Sequence, residues 1–451
     1  MSIVKKGEVP TLFESPSHCC GCGACAAACP KGAITMSEGK NGFVLPVINS
    51  ELCIGCGTCT RACGLNRGIG SNSVGPFFAA AGRDDVSESA SGGVFGAVAR
   101  EHISSGGVAY GAAYEREGNT LRVRHRRAVS VDELRPLLNS KYVQSDAGSC
   151  FADIKADLCE GRRVLFCGTP CQVAGLRGFL RRDYEGLTTI DLICHGVPSA
   201  RMFADCVEGY GKQFGSPVVD FRFRCKREGW GHSLLLLLLE DGREVTIPAA
   251  KSPYYDMFLN LKTLRDSCYR CPYAGGFRAG DLTIGDFWGV DVNRPDVLKD
   301  SEKFNQVKGV SCLLVNNDRG REFIESSNAL DLYPVEFDDI AKGNDQLRHP
   351  SDLPNDRGLY IDAFTKGGWK SICKLYLRRE RGLKFHSKRI LKVFLPASFI
   401  SFAESFNRFL IISLDVLICR YSPLFRAFPA LFISEEPHKS FYYPSCFRSQ
   451  K

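Results

Sequence analysis

Strand-like and helix-like periodicities alternate through the middle of the chain. Short apolar runs at 77–81, 164–167, 188–194 and 282–284, bounded by Gly, Pro or polar residues, predict buried strands. Helical spacing is found at 94–104, at 172–181 and from about residue 199. This alternation across 76–370 predicts an α/β domain with a partly parallel sheet. Leu234 to Leu239, then Glu240-Asp241-Gly242-Arg243 and an apolar 245–247, predict strand, turn and strand. Residues 221–226 alternate as a strand with Arg222, Arg224 and Lys226 on one face, suited to an anion or to solvent. Arg122, Arg124 and Arg126 show the same pattern.

The two ends break from this pattern. Residues 1–70 are dense in Cys and Gly, with short strands expected at 33–36 and 43–48. A Gly/Asn/Ser stretch at 64–75 reads as a linker. Beyond residue 374 a Lys/Arg-rich segment leads into aromatic and aliphatic residues broken by Glu404, Arg408, Asp415 and Arg420. This predicts a helical appendage over 374–451 that covers the large domain, a protein partner or an anionic membrane surface. The fold class expected is therefore α+β and α/β: a ferredoxin-like two-cluster module over 1–70, an α/β domain over 76–370, and the appendage.

Composition narrows the function. Hydrophobic residues make up 44% of the 451, and the net charge of +8 is too small to imply nucleic acid. The 22 cysteines are far more informative. Residues 1–17 hold Lys5, Lys6, Glu8 and Pro10 and no apolar run, so a secretory start is not expected. The thiols are then expected reduced in a cytoplasmic protein, many of them as metal ligands. No stretch reaches the roughly 18 uninterrupted apolar residues that span a bilayer.

Cys19-x2-Cys22-x2-Cys25-x3-Cys29-Pro30 recurs as Cys53-x2-Cys56-x2-Cys59-x3-Cys63. This is the bacterial two-cluster run, in which the fourth Cys serves the other cluster. Cys19, Cys22, Cys25 and Cys63 are expected on one 4Fe-4S cluster, and Cys53, Cys56, Cys59 and Cys29 on the second. Gly21, Gly23, Gly55 and Gly57 let the loops turn tightly around each cubane. Cys20 falls outside the spacing. Paired zinc sites are the alternative, but they use two Cys-x2-Cys pairs rather than a triple and a fourth.

Further cysteines stand at predicted strand ends: Cys171 in Gly168-Thr169-Pro170-Cys171-Gln172, Cys194 beside His195, and the pair Cys268 and Cys271. Ligands of open α/β sheets bind outside the carboxyl ends of strands. These four predict a third cluster, with zinc or no metal as alternatives and Cys167 competing with Cys171. Cys150, Cys159, Cys206, Cys225, Cys312, Cys373, Cys419 and Cys446 read as small buried hydrophobes.

At these motifs the chain resembles the coenzyme F420 hydrogenase/dehydrogenase beta subunits, whose relatives include 7-hydroxymethyl chlorophyll a reductase. The likeness runs over about 76–349 and rests on Ser91-Gly92-Gly93, Ser140-Lys141-Tyr142-Val143-Gln144-Ser145, 164–172, 194–199, 221–230 and 280–289. Ala90 stands where the family often has Ser, and Asn139 where it often has Gly. The resemblance implies an FAD beside a 4Fe-4S cluster. Cofactor-binding residues expected are Ser91, Gly92, Gly93, Lys141, Tyr142, Gly168, Thr169 and Gln172. Ser91-Gly92-Gly93 reads as a phosphate site at a helix start or as an ordinary cap. Lys141 is expected beside the flavin, and His195 is a candidate proton donor or a structural histidine.

The expected function is an iron–sulfur flavoprotein oxidoreductase acting on an organic substrate or a deazaflavin. The alternative is a non-catalytic electron-transfer subunit docked to a partner enzyme, with a possible link to polysaccharide biosynthesis. The partner expected is an electron donor or acceptor protein, such as a ferredoxin or a hydrogenase-type subunit.

Overall fold

The computed structural model describes residues 8–380, save residues 69 and 85. The described residues up to 375 pack as one compact unit. Residues 381–451, with Cys419, Cys446 and most of the expected appendage, lie outside the described residues.

The N-terminal end folds as a ferredoxin-like unit. Strands Ile34–Glu38 and Val44–Ile48 pair antiparallel, with Ile34 opposite Ile48. Short helices Ala24–Ala27 and Thr58–Ala62 each start after a glycine in the left-handed region, Gly23 at φ 81° and Gly57 at φ 66°. Side chains rarely adopt that conformation, so each cysteine loop needs its glycine.

Residues 64–75 are not the linker their composition suggests. They begin with the helix Gly64–Arg67, which packs on the helix Pro170–Leu180. They continue into Ser71–Asn72, which pairs antiparallel with Phe277–Arg278. A Cβ on Gly64 would lie 2.4 Å from the Ala174 carbonyl oxygen. Here the absent side chain serves close approach, which composition does not distinguish from flexibility.

The large domain is built on an eight-stranded mixed sheet. Its order is Leu330–Val335, Phe77–Gly82, Ser311–Val315, Leu282–Asp286, Leu187–Leu192, Val164–Gly168, Val108–Glu117, Thr120–Ala128. The run from Leu282–Asp286 through Leu187–Leu192 and Val164–Gly168 to Val108–Glu117 is parallel, and the outer pairs are antiparallel. Leu165 packs into one core with the helix Val94–Ser104, and Phe166 into another with Pro170–Leu180. Both faces are covered, so Val164–Gly168 reads as a continuous apolar run. The parallel strands deliver the segments after Gly168 and Leu192 to the same end of the sheet.

Leu234–Leu239 is the middle of a separate three-stranded sheet, between Val218–Arg222 and Glu244–Pro248. The strand expected over 221–226 ends at Arg222, because Arg224 turns inward to an ion pair with Asp286 at 2.8 Å. The helix Arg357–Glu380 is kinked at Gly367 and Gly368 and runs through residue 374, where the appendage was expected to begin. Among the described residues no helix is long and apolar enough to cross a membrane.

Candidate metal centre

In the ferredoxin-like unit the cysteines of the two runs lie close to one another. Cys29, Cys53, Cys56 and Cys59 line one small void with Pro30, Ile34 and Ile48. Cys59 lies within electrostatic reach of Cys29 and Cys56. Cys25 lies likewise near Cys19 and Cys63, and burial together with that crowding pushes its thiol up to about 12. Cys22 departs from this grouping. Its Sγ approaches the helix Pro170–Leu180, where a Cβ on Gly175 would lie 2.8 Å away, and it contacts the Cys20 thiol. Cys56 is exposed, whereas Cys19 faces the large domain with Cys171 in electrostatic reach. An all-thiol donor set held by positive-φ glycines fits two clusters.

The four large-domain cysteines converge at the carboxyl ends of adjacent parallel strands. Cys171 is in the first turn of Pro170–Leu180, right after the strand Val164–Gly168. Cys194 follows Leu187–Leu192, while Cys268 and Cys271 come from and just after the short helix Asp266–Arg270. All four line a cleft of about 1130 Å³ together with Thr169, Gly196 and Arg265. Gly196, at φ 126°, permits the convergence, since a Cβ there would lie 2.9 Å from Cys268 Cβ. Burial raises the thiols of Cys194, Cys268 and Cys271, to about 12 for Cys268 and about 11 for Cys271. Metal ligation must therefore displace protons. Among the described residues, no three Cys, His, Asp or Glu side chains gather as ligands of a single ion. Cys167, on the strand Val164–Gly168, is half-buried, packed with one of the main cores, and does not line this cleft. Cys150, Cys206, Cys225 and Cys312 are buried as expected; Cys159 is exposed and Cys373 half-buried.

The residues expected around a flavin are more dispersed. Thr169 lines the cleft. Gln172 completes a capping box with Thr169 and donates to Ser145 at 2.8 Å. Ser91-Gly92-Gly93 precedes the helix Val94–Ser104 without a side-chain cap, but it is tightly packed. A Cβ on Gly92 would lie 2.6 Å from the Ala80 carbonyl oxygen, and Ser91 Oγ donates to Val310. Tyr142 stacks on Phe258 at 4.4 Å. Lys141 Nζ donates to the carbonyls of Pro136, Leu138 and Asn139, and burial lowers its pKa to about 7. Burial also lowers His195, whose carbonyl accepts from Ser351 Oγ at 2.5 Å. Arg122, Arg124 and Arg126 pair with Glu115 and Glu117, so that face is a surface charge ladder.

Cys20 lines the cleft, and its thiol contacts both Cys171 and Cys22. Its only sequence signal is adjacency to Cys19. Gln144 and Arg265 tie the first cysteine loop to the large domain: Gln144 Nε2 donates to the Cys20 and Gly21 carbonyls, and Arg265 Nη1 to that of Cys19 at 2.9 Å.

Residues 161–337 match the family described as the C terminus of the coenzyme F420 hydrogenase/dehydrogenase beta subunit, and residues 18–66 match the 4Fe-4S dicluster domain. Among solved structures, a chain of the F420-reducing NiFe hydrogenase complex from Methanosarcina barkeri is similar at 18% identity, with a TM-score of 0.42. That likeness covers 70% of this chain and 95% of the other. No curated protein matches this chain.

Proposed function

We propose, for a chain that joins a 4Fe-4S dicluster domain to the C-terminal domain of the coenzyme F420 hydrogenase/dehydrogenase beta subunit, an oxidoreductase family, the role of an iron–sulfur flavoprotein. It carries electrons between a donor protein met at the chain's surface and a substrate in the cleft. One observation carries this reading: the sulfurs form a continuous series. It starts at exposed Cys56, passes the Cys29 and Cys59 group to Cys19, Cys25 and Cys63, and reaches Cys171 through half-buried Cys20.

The third cluster belongs on Cys171, Cys194, Cys268 and Cys271. The resemblance adds FAD, and a bound flavin exchanges single electrons with a cluster and hydride with an organic substrate. Lys141, Gly168 and Thr169 would hold it, with Ser91, Gly92, Gly93, Tyr142 and Gln172 shaping the turns around them. Lys141 stands within electrostatic reach of Cys167, at the end of the strand that leads to Cys171. His195 stays neutral at pH 7 and serves the loop's structure. The exposure of Cys56 also favours a second reading, a non-catalytic electron-transfer subunit docked to a hydrogenase-type partner.

Anaerobic purification with iron, sulfide and flavin quantification tests both. About twelve iron per chain, from three four-iron clusters, and bound FAD are expected. Protein that takes up no flavin excludes the first reading. Zinc at the large-domain cysteines, or eight iron in an intact chain, excludes the third cluster.

A further inference from the structure

Four arginines are buried among the described residues: Arg224, Arg265, Arg278 and Arg357. Three have a carboxylate partner, namely Asp286 at 2.8 Å, Asp191 at 2.7 Å and Asp266 at 2.8 Å. Arg265, only 2% exposed, has none among the described residues. Its Nε donates to Gln144 Oε1 at 3.2 Å, its Nη1 to the Cys19 carbonyl at 2.9 Å, and its Nη2 to the Val44 carbonyl. Its guanidinium also stands 5.2 Å from the Phe43 ring centroid. These acceptors satisfy the N–H groups but bring no net negative charge. A buried cation without a counter-charge is costly even after relaxation.

The charges in its reach are sulfurs: Cys19 on the first ferredoxin loop, and Cys171 and Cys268 in the cleft. Arg265 also lines that cleft. It therefore stands between the two thiol groups that face each other across the module boundary.

We propose that Arg265 is the shared counter-charge of two clusters, the one expected on Cys19, Cys22, Cys25 and Cys63 and the one assigned to Cys171, Cys194, Cys268 and Cys271. The second half rests on the third cluster of the proposed function. A four-thiolate cluster is an anion and gains a further negative charge on reduction. A fixed cation in a low-dielectric site stabilises the reduced form more, so it raises the midpoint potential. Arg265 thus makes both clusters easier to reduce and leaves the surface cluster, held by Cys29, Cys53, Cys56 and Cys59, as an unaffected reference.

The test uses the full chain, reconstituted anaerobically, with iron counting and potentiometric titration followed by electron paramagnetic resonance. Arg265→Gln removes the charge. Gln144→Glu keeps the guanidinium and places a carboxylate beside it. Each is expected to move two midpoints to more negative potential and leave the third in place. Midpoints unmoved in both variants, or all three shifted alike, overturn the proposal. So does loss of every cluster in both variants, because the surface cluster does not depend on Arg265. Eight iron in the unsubstituted protein removes the third cluster but not the test: the midpoint of the Cys19 group then decides whether Arg265 acts.

Discussion

Asp191 and Arg278 are 0% and 1% exposed at the side chain, and this pair holds the end of the sheet from which Cys194 emerges. The Asp191 carboxylate also accepts from Thr283 Oγ1 and from the backbone of Ala279 and Gly280. Arg278→Leu leaves that carboxylate buried without its cation, and the expected loss is about 3–5 kcal/mol, read from the urea midpoint. Lys141 provides a pH dependence. Burial holds its folded pKa near 7, against about 10.4 in an unfolded chain. Between these values the unfolded chain binds a proton that the folded chain does not, so this group makes stability rise with pH. Lys141→Met should flatten that rise when urea midpoints are compared at pH 7, 8.5 and 10; an unchanged slope means the amine is not desolvated. At the thiols, Cys194→Ala should cost one cluster and Cys20→Ala none. The opposite iron counts would make Cys20 a ligand in its place.

Legibility differs from element to element. Val94–Ser104 and Leu234–Leu239 lie where periodicity puts them, because each is set by its own apolar spacing. Asn139 sits at φ 67°, and Asn is one of the few residues other than Gly that tolerate that region. The long hairpin of Val108–Glu117 and Thr120–Ala128 is legible only in its second strand, through the alternation of Arg122, Arg124 and Arg126; its first strand carries Gly and Ala for much of its length. Its register comes from pairing, which no local pattern announces. The two cysteine runs of the dicluster domain were legible because ligand spacing is fixed by the cubane, whereas Arg265 has no spacing signal and is found only in three dimensions. The crossed scheme can be checked at this scale. Cys63→Ser should alter the resonance of the cluster on Cys19 and Cys25, and Cys29→Ser that of the cluster on Cys53, Cys56 and Cys59. Uncrossed effects would show that each motif binds its own cluster.

At the scale of the whole molecule, the two modules meet on a helix face made of small residues. Gly178 of Pro170–Leu180 has no room for a side chain: a Cβ would lie 2.2 Å from the Ala62 carbonyl oxygen. Gly175 meets Cys22 and Gly64 meets Ala174 in the same way. This contact brings the first cysteine loop up to the cleft. In a lone helix, Gly178→Ala would be favourable by about 1 kcal/mol. Here the methyl group must push the modules apart, and overpacking of this kind costs about 1–3 kcal/mol. Gly211, in the helix Ala200–Phe214, is the control, because its added Cβ would meet nothing closer than 3.5 Å. Gly211→Ala should hold or raise the urea midpoint, while Gly178→Ala lowers it and speeds proteolysis near residue 70. Iron content should stay unchanged, since no proposed ligand is touched, but reduction of the cluster proposed in the cleft through the ferredoxin-like module should slow in stopped-flow measurements. If Gly178→Ala behaves like Gly211→Ala in both stability and electron transfer, the helix face is not what couples the modules.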